Sequence, residues 1–129
     1  MIRPTQATTQ AFRDVAKCYS ASCVFADVQS RSYVMHSAIK PIFPGKPVGV
    51  ALPVRLSAGD LPDPLAALEI AQPDDMIVAD EIGVIVVPNA KLDEVLKLAR
   101  EQAEREEFTR REIAKGKTVE QLLAEFGRI

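Results

Sequence analysis

The stretch "QPDDMIVADEIGVIVVPNAKLDEVL", Gln72 to Leu96, decides how this chain is read. The runs "MIVAD" and "VIVVP" are apolar enough for two buried strands, and Glu81-Ile82-Gly83 lies between them with a glycine available for a positive φ. A hairpin or sharp corner between two buried strands is therefore expected. Pro88 stops the second strand, and Asn89 can cap the helix that follows.

That helix is long. Leu92, Leu96, Ala99 and Ala103 fall on a single stripe, and Asp93-Lys97, Lys97-Glu101, Glu101-Arg105 and Glu107-Arg111 are opposite charges spaced i,i+4. At about 100° per residue, Glu106, Glu107 and Arg110 continue the apolar stripe, so the seam turns from apolar to charged. A helix with that pattern has run past its own core and meets either water or a neighbouring subunit; a solvated face is the commoner case. Gly116 ends it, and "TVEQ" at Thr118 to Gln121 is a capping box opening a last turn or two that carries Leu122, Leu123 and Phe126.

Upstream, Thr8 or Thr9 can cap a first short helix whose Phe12, Val15 and Ala16 share a face. Ser20 or Ser22 can cap a second, with Val24, Phe25 and Val28 as its apolar stripe and Asp27 in its body. "IKPIFPGKP" carries three prolines and a Pro44-Gly45 turn, so it is a connection. From Val48 the period becomes two: Val48, Val50, Leu52, Val54 and Leu56 alternate with Gly49, Ala51, Pro53 and Arg55, as in a half-buried strand with an edge or bulge at Pro53. Asp63 caps and Pro64 opens a helix through "PLAALEIA". Together these elements predict an α/β (α+β) fold: a mixed β-sheet core flanked by N-terminal helices and a long C-terminal helix.

The chain has 129 residues, 47% apolar and 26% charged, which fits one soluble domain spanning 1–129. No apolar run reaches membrane-spanning length and the start lacks a secretory pattern, so no membrane partner and a cytoplasmic location are expected. A net charge of -2 argues against direct nucleic-acid binding, since such domains are usually basic on one face. Cys18 and Cys23 are five apart, which is neither a redox nor a zinc spacing, and read as reduced, partly buried thiols.

Groups that could do chemistry are few. His36 has no nucleophile motif near it and reads as structural or surface. No glycine-rich phosphate loop is present. The carboxylate clusters are Asp60 with Asp63, Asp74 with Asp75, and Asp80 with Glu81, and each has a plainer role as a cap, a turn or a strand end.

"SCVFADV" and "IKPIFPGKPVGVALPVRLSAGDLPDPLAALEIAQPDDMIVAD", followed by "DDMIVADEIGVIVVPNAKLDEVLKLAREQAEREEFTRREIAKGKTVEQL", resemble the family that contains the regulator of ribonuclease E activity A and the 4-hydroxy-4-methyl-2-oxoglutarate aldolases. The resemblance covers nearly the whole chain, with a strand pair like ADE-x-G-VVVVP and an E-x-x-x-R helix followed by a glycine. It implies a swivelling β/β/α type of domain, a magnesium-dependent aldolase and oxaloacetate decarboxylase chemistry on pyruvate-derived 2-oxo acids, and a homotrimer or larger homo-oligomer.

The departure from the family matters as much. Its members feed an apolar strand from a proline-glycine-aspartate turn twice, before and after a central block; here one "PDDMIVAD" serves as both, so the domain is shortened in the middle, near residues 75–82. That block carries the glycine-rich loop for the substrate carboxylate and an R-D pair, arginine for the carbonyl and aspartate for magnesium. The R-D of this chain, Arg13-Asp14, lies in the first helix, so no catalytic residue transfers. Glu106 with Arg110 matches the E-x-x-x-R, and the resemblance implies that Glu106 reaches a metal-bound water across a subunit interface. Three outcomes stay open: a shortened lyase relative with little or no activity, a non-catalytic regulatory protein of the ribonuclease E inhibitor type that binds a protein partner, or residual lyase activity rebuilt around Asp60, Asp80 or Glu81.

Overall fold

A computed structural model describes residues 2–37, 39, 44–52 and 71–127. Three strands form an antiparallel sheet in the order β1 (Val48–Val50), β2 (Met76–Ala79), β3 (Val84–Val87). The expected hairpin is present, with Met76 opposite Val87 and Ala79 opposite Val84. Tyr33 to Met35 extends the sheet beyond β3: the Met35 N–H donates to Val84 O and the Val86 N–H to Tyr33 O, both at 2.9 Å. The sheet was expected to be mixed, but among the described strands every pairing is antiparallel.

Cross-strand partners share a face, so Val48, Val78 and Ile85 line up with Val50, Met76 and Val87 on one side. That side meets α1 (Gln6–Val15) and α2 (Ala21–Asp27), whose Phe12 and Phe25 rings stack at 5.3 Å. Helix α3 (Leu92–Ala114) lays Leu92, Val95, Leu96 and Ala99 over α1 and α2, after one 3-10 turn at Asn89–Lys91. Helix α4 (Val119–Phe126) follows. The α+β class therefore holds, with two short helices between an antiparallel sheet and one long helix.

Several details differ from the sequence pattern. Regular pairing of β1 stops at Val50, although Ala51 still donates to Asp75 O at 2.7 Å. Asp74 takes φ 68° in the turn that precedes β2, which curls the partner chain away, and Leu52 is consequently 84% exposed rather than on a buried face. The cap of α1 is Thr5, not Thr8 or Thr9: Thr5 Oγ1 accepts the Thr8 N–H at 3.1 Å, because the helix begins one turn earlier. Asn89 does not cap α3 with its side chain; its amide donates to Asp74 O and Ile2 O instead. Gly83 does not take a positive φ. Pro53, the helix expected from Asp63 and Pro64, and Asp60 lie outside the described residues. Among the described residues no helix is long and apolar enough to cross a membrane.

Candidate functional site

The acidic corner between β2 and β3 was one of the places where chemistry could reside, and it is built around Asp80. This side chain is fully buried. Its Oδ1 accepts the N–H of Ile82 at 2.9 Å and of Gly83 at 3.3 Å, while Oδ2 accepts the N–H of Ser22 at 2.9 Å. Ser22 sits in the first turn of α2, whose N-cap Ser20 makes no side-chain cap bond. A carboxylate 58 positions further along the sequence thus does the capping, and it also closes the turn that Gly83 completes by returning its carbonyl to the Asp80 N–H at 3.1 Å. Burial alone would raise the Asp80 pKa, but the Ser22 hydroxyl beside it and the amides of Ser22, Ile82 and Gly83 outweigh it and hold the carboxyl below its ordinary value. Glu81 beside it is exposed and contributes nothing to this arrangement.

Asp75 has a comparable role at the opposite end of β2. Its Oδ2 accepts the Gln72 N–H and its Oδ1 the Asn89 N–H, at 2.9 and 2.8 Å, so the entry to β2 is tied to the exit from β3. Asp74 and Asp75 therefore form a joint rather than a ligand pair.

The seam of α3 carries Glu106, which is half-buried and accepts a hydrogen bond from Gln102 Nε2 at 3.0 Å. One turn on, the Arg110 guanidinium lies 3.9 Å from the centre of the Tyr19 ring. Lys46 Nζ donates to the carbonyl oxygens of Cys18 and Tyr19 in the same region. Burial pushes the Cys18 thiol up, opposed by Lys46 and reinforced by Glu106. The charged end of the seam thus folds back onto the α1–α2 connection instead of standing wholly in water. Beside it a groove of about 540 Å³ runs between α1 and α3, floored by Val15, Ala103 and Phe108 and edged by Arg100 and Arg111. Of the four expected ion pairs along α3, Glu107–Arg111 closes, at 2.9 Å. The other three are not closed among the described residues, consistent with the small free energy of exposed pairs.

At its far end α3 stops in a Schellman motif. The Lys117 N–H bonds to Glu112 O and the Gly116 N–H to Ile113 O, with Gly116 at φ 94°. The capping box of Thr118 and Gln121 is formed as the sequence implies. Glu112 is covered by Lys115 and Lys117, at 2.6 and 2.8 Å, and Lys117 reaches on to Glu125 of α4 at 2.6 Å. The bonds from Lys115 and Lys117 hold the Glu112 carboxyl below its ordinary range, and those from Glu112 and Glu125 raise Lys117.

These arrangements bear on a divalent ion. A hard cation needs several oxygens converging at once. Among the described residues no group of three His, Cys, Asp or Glu is so placed, and Glu106 stands as a single carboxylate beside Gln102. Magnesium keeps several waters and needs only one or two carboxylates, so neither Glu106 nor Asp80 by itself assigns a magnesium site among the described residues. Arg13 and Asp14 are occupied separately: Arg13 Nε donates to Val48 O at 3.3 Å, and Asp14 pairs with Lys17 at 2.8 Å. His36 is on the surface, and Cys23 is exposed rather than partly buried because it faces away from the Val24–Phe25 stripe. No protein-family model matches the chain, and no curated protein matches it.

The sequence left Lys46 and Tyr19 unnoticed, since a lysine in a proline-rich connection and a tyrosine between two helices carry no periodic signal. Asp80 was singled out as a carboxylate with a plainer role at a strand end, but not as the cap of a helix 58 positions away. An aspartate three residues before a glycine at a strand end is a signal for an Asx turn, and it could have been read so.

Proposed function

We propose that this protein is a shortened relative of the magnesium-dependent aldolases and oxaloacetate decarboxylases that it resembles, with little or no lyase activity, and that it acts by protein contact in the manner of the ribonuclease E inhibitors of that family. The reading rests on one observation above all: the buried carboxylate at the strand corner is tied to three backbone N–H groups. A carboxylate held in that way, buried and with three of its four or so acceptor sites given to the backbone, is turned away from solvent.

The chemistry sharpens the point. Aldol cleavage or decarboxylation of a 2-oxo acid leaves an enolate, and a divalent cation with an arginine at its oxygen is what lowers that barrier. In this chain Arg13 is spent on a strand carbonyl and Asp14 on a lysine. Glu106 is then an interface or surface charge bonded to Gln102, not the carrier of a proton to a metal-bound water.

Two assays run together test this. Pyruvate release from oxaloacetate is followed with and without magnesium, and RNA cleavage by purified ribonuclease E is followed with and without the protein. No magnesium-dependent release together with slowed cleavage is the expected result. Magnesium-dependent turnover that Glu106→Gln abolishes contradicts it.

A further inference from the structure

We draw no further inference here: the strongest candidate, the groove of about 540 Å³ between α1 and α3 floored by Val15, Ala103 and Phe108, carries nothing, because Asp14 and Glu107 at its rim are already paired with Lys17 and Arg111 and nothing in the structure shows what covers it.

Discussion

Asp80 Oδ2 accepts the backbone N–H of Ser22 at 2.9 Å across 58 positions of sequence. One carboxylate therefore closes the corner of the β2–β3 hairpin and caps α2, which packs against those strands. Hydrogen bonds to a charged group are worth about 1.5–3 kcal/mol each when buried, with large non-additivity. Asp80→Ala is expected to lower unfolding free energy by about 2–4 kcal/mol in urea titration, with unchanged m-value. Asp80→Asn is expected to cost less, because one oxygen can still accept from Ile82 and Gly83.

The same carboxylate sets a pH dependence. Its folded pKa lies below the unfolded value, near 3.8 for a free aspartate, so the stability it contributes is fully present above that value. As pH falls through the folded pKa, the contribution is lost. Urea titrations on the acid side of pH 4 are expected to show wild type converging on Asp80→Asn, with the gap between them widest near neutrality. A gap that grows on acidification contradicts the assignment.

How much of this was legible beforehand follows from which forces are local. The hairpin, the Phe12–Val15–Ala16 face, the α3 stripe and the Thr118–Gln121 capping box follow from periodicity and short-range caps, and they stand as the sequence implies. What escaped is non-local. Nothing within a few residues of Ser20 says that its helix is capped by Asp80, nor that Asn89 spends its amide on Asp74 and Ile2. Regular pairing of the strand that starts at Val48 ends at Val50 for the same reason, since the partner turns at Asp74, while Val54 and Leu56 lie outside the described residues. For the site, the sequence correctly placed Arg13-Asp14 in a helix, but it could not show that Glu106 would face Gln102 beside the α1–α2 connection.

Gly116 holds φ 94° at the end of α3, a conformation that costs a residue with a Cβ about 1 kcal/mol or more. Gly116→Ala is expected to destabilise the α3–α4 hairpin by about that much, and Thr118→Ala by a further 0.5–2 kcal/mol or so through loss of the cap. Amide hydrogen exchange checks both: protection is expected to fall in 119–126 and at the end of α3 while β2 and β3 keep theirs.

Lys117 bridges Glu112 of α3 to Glu125 of α4. Glu112 is shielded by its lysines rather than by the core, so the bridge is exposed to salt screening. Lys117→Met is expected to loosen α4, and added salt to narrow its difference from wild type. The sign with pH runs both ways: the Glu112 contribution is present above its ordinary value of 4.5 and fades as pH falls below it, whereas the Lys117 contribution is present below 10.5 and fades as pH rises past it. Protection of α4 amides should therefore be greatest between those limits.

The central claim is that Asp80 joins a hairpin to a helix and is not available to a metal. Thermal unfolding of wild type and Asp80→Asn across a magnesium titration tests it most directly, because an ion bound by the folded chain raises the midpoint by mass action. The expected result is a lower midpoint for Asp80→Asn, with magnesium moving neither protein. A magnesium-dependent rise in wild type that the substitution abolishes contradicts the claim.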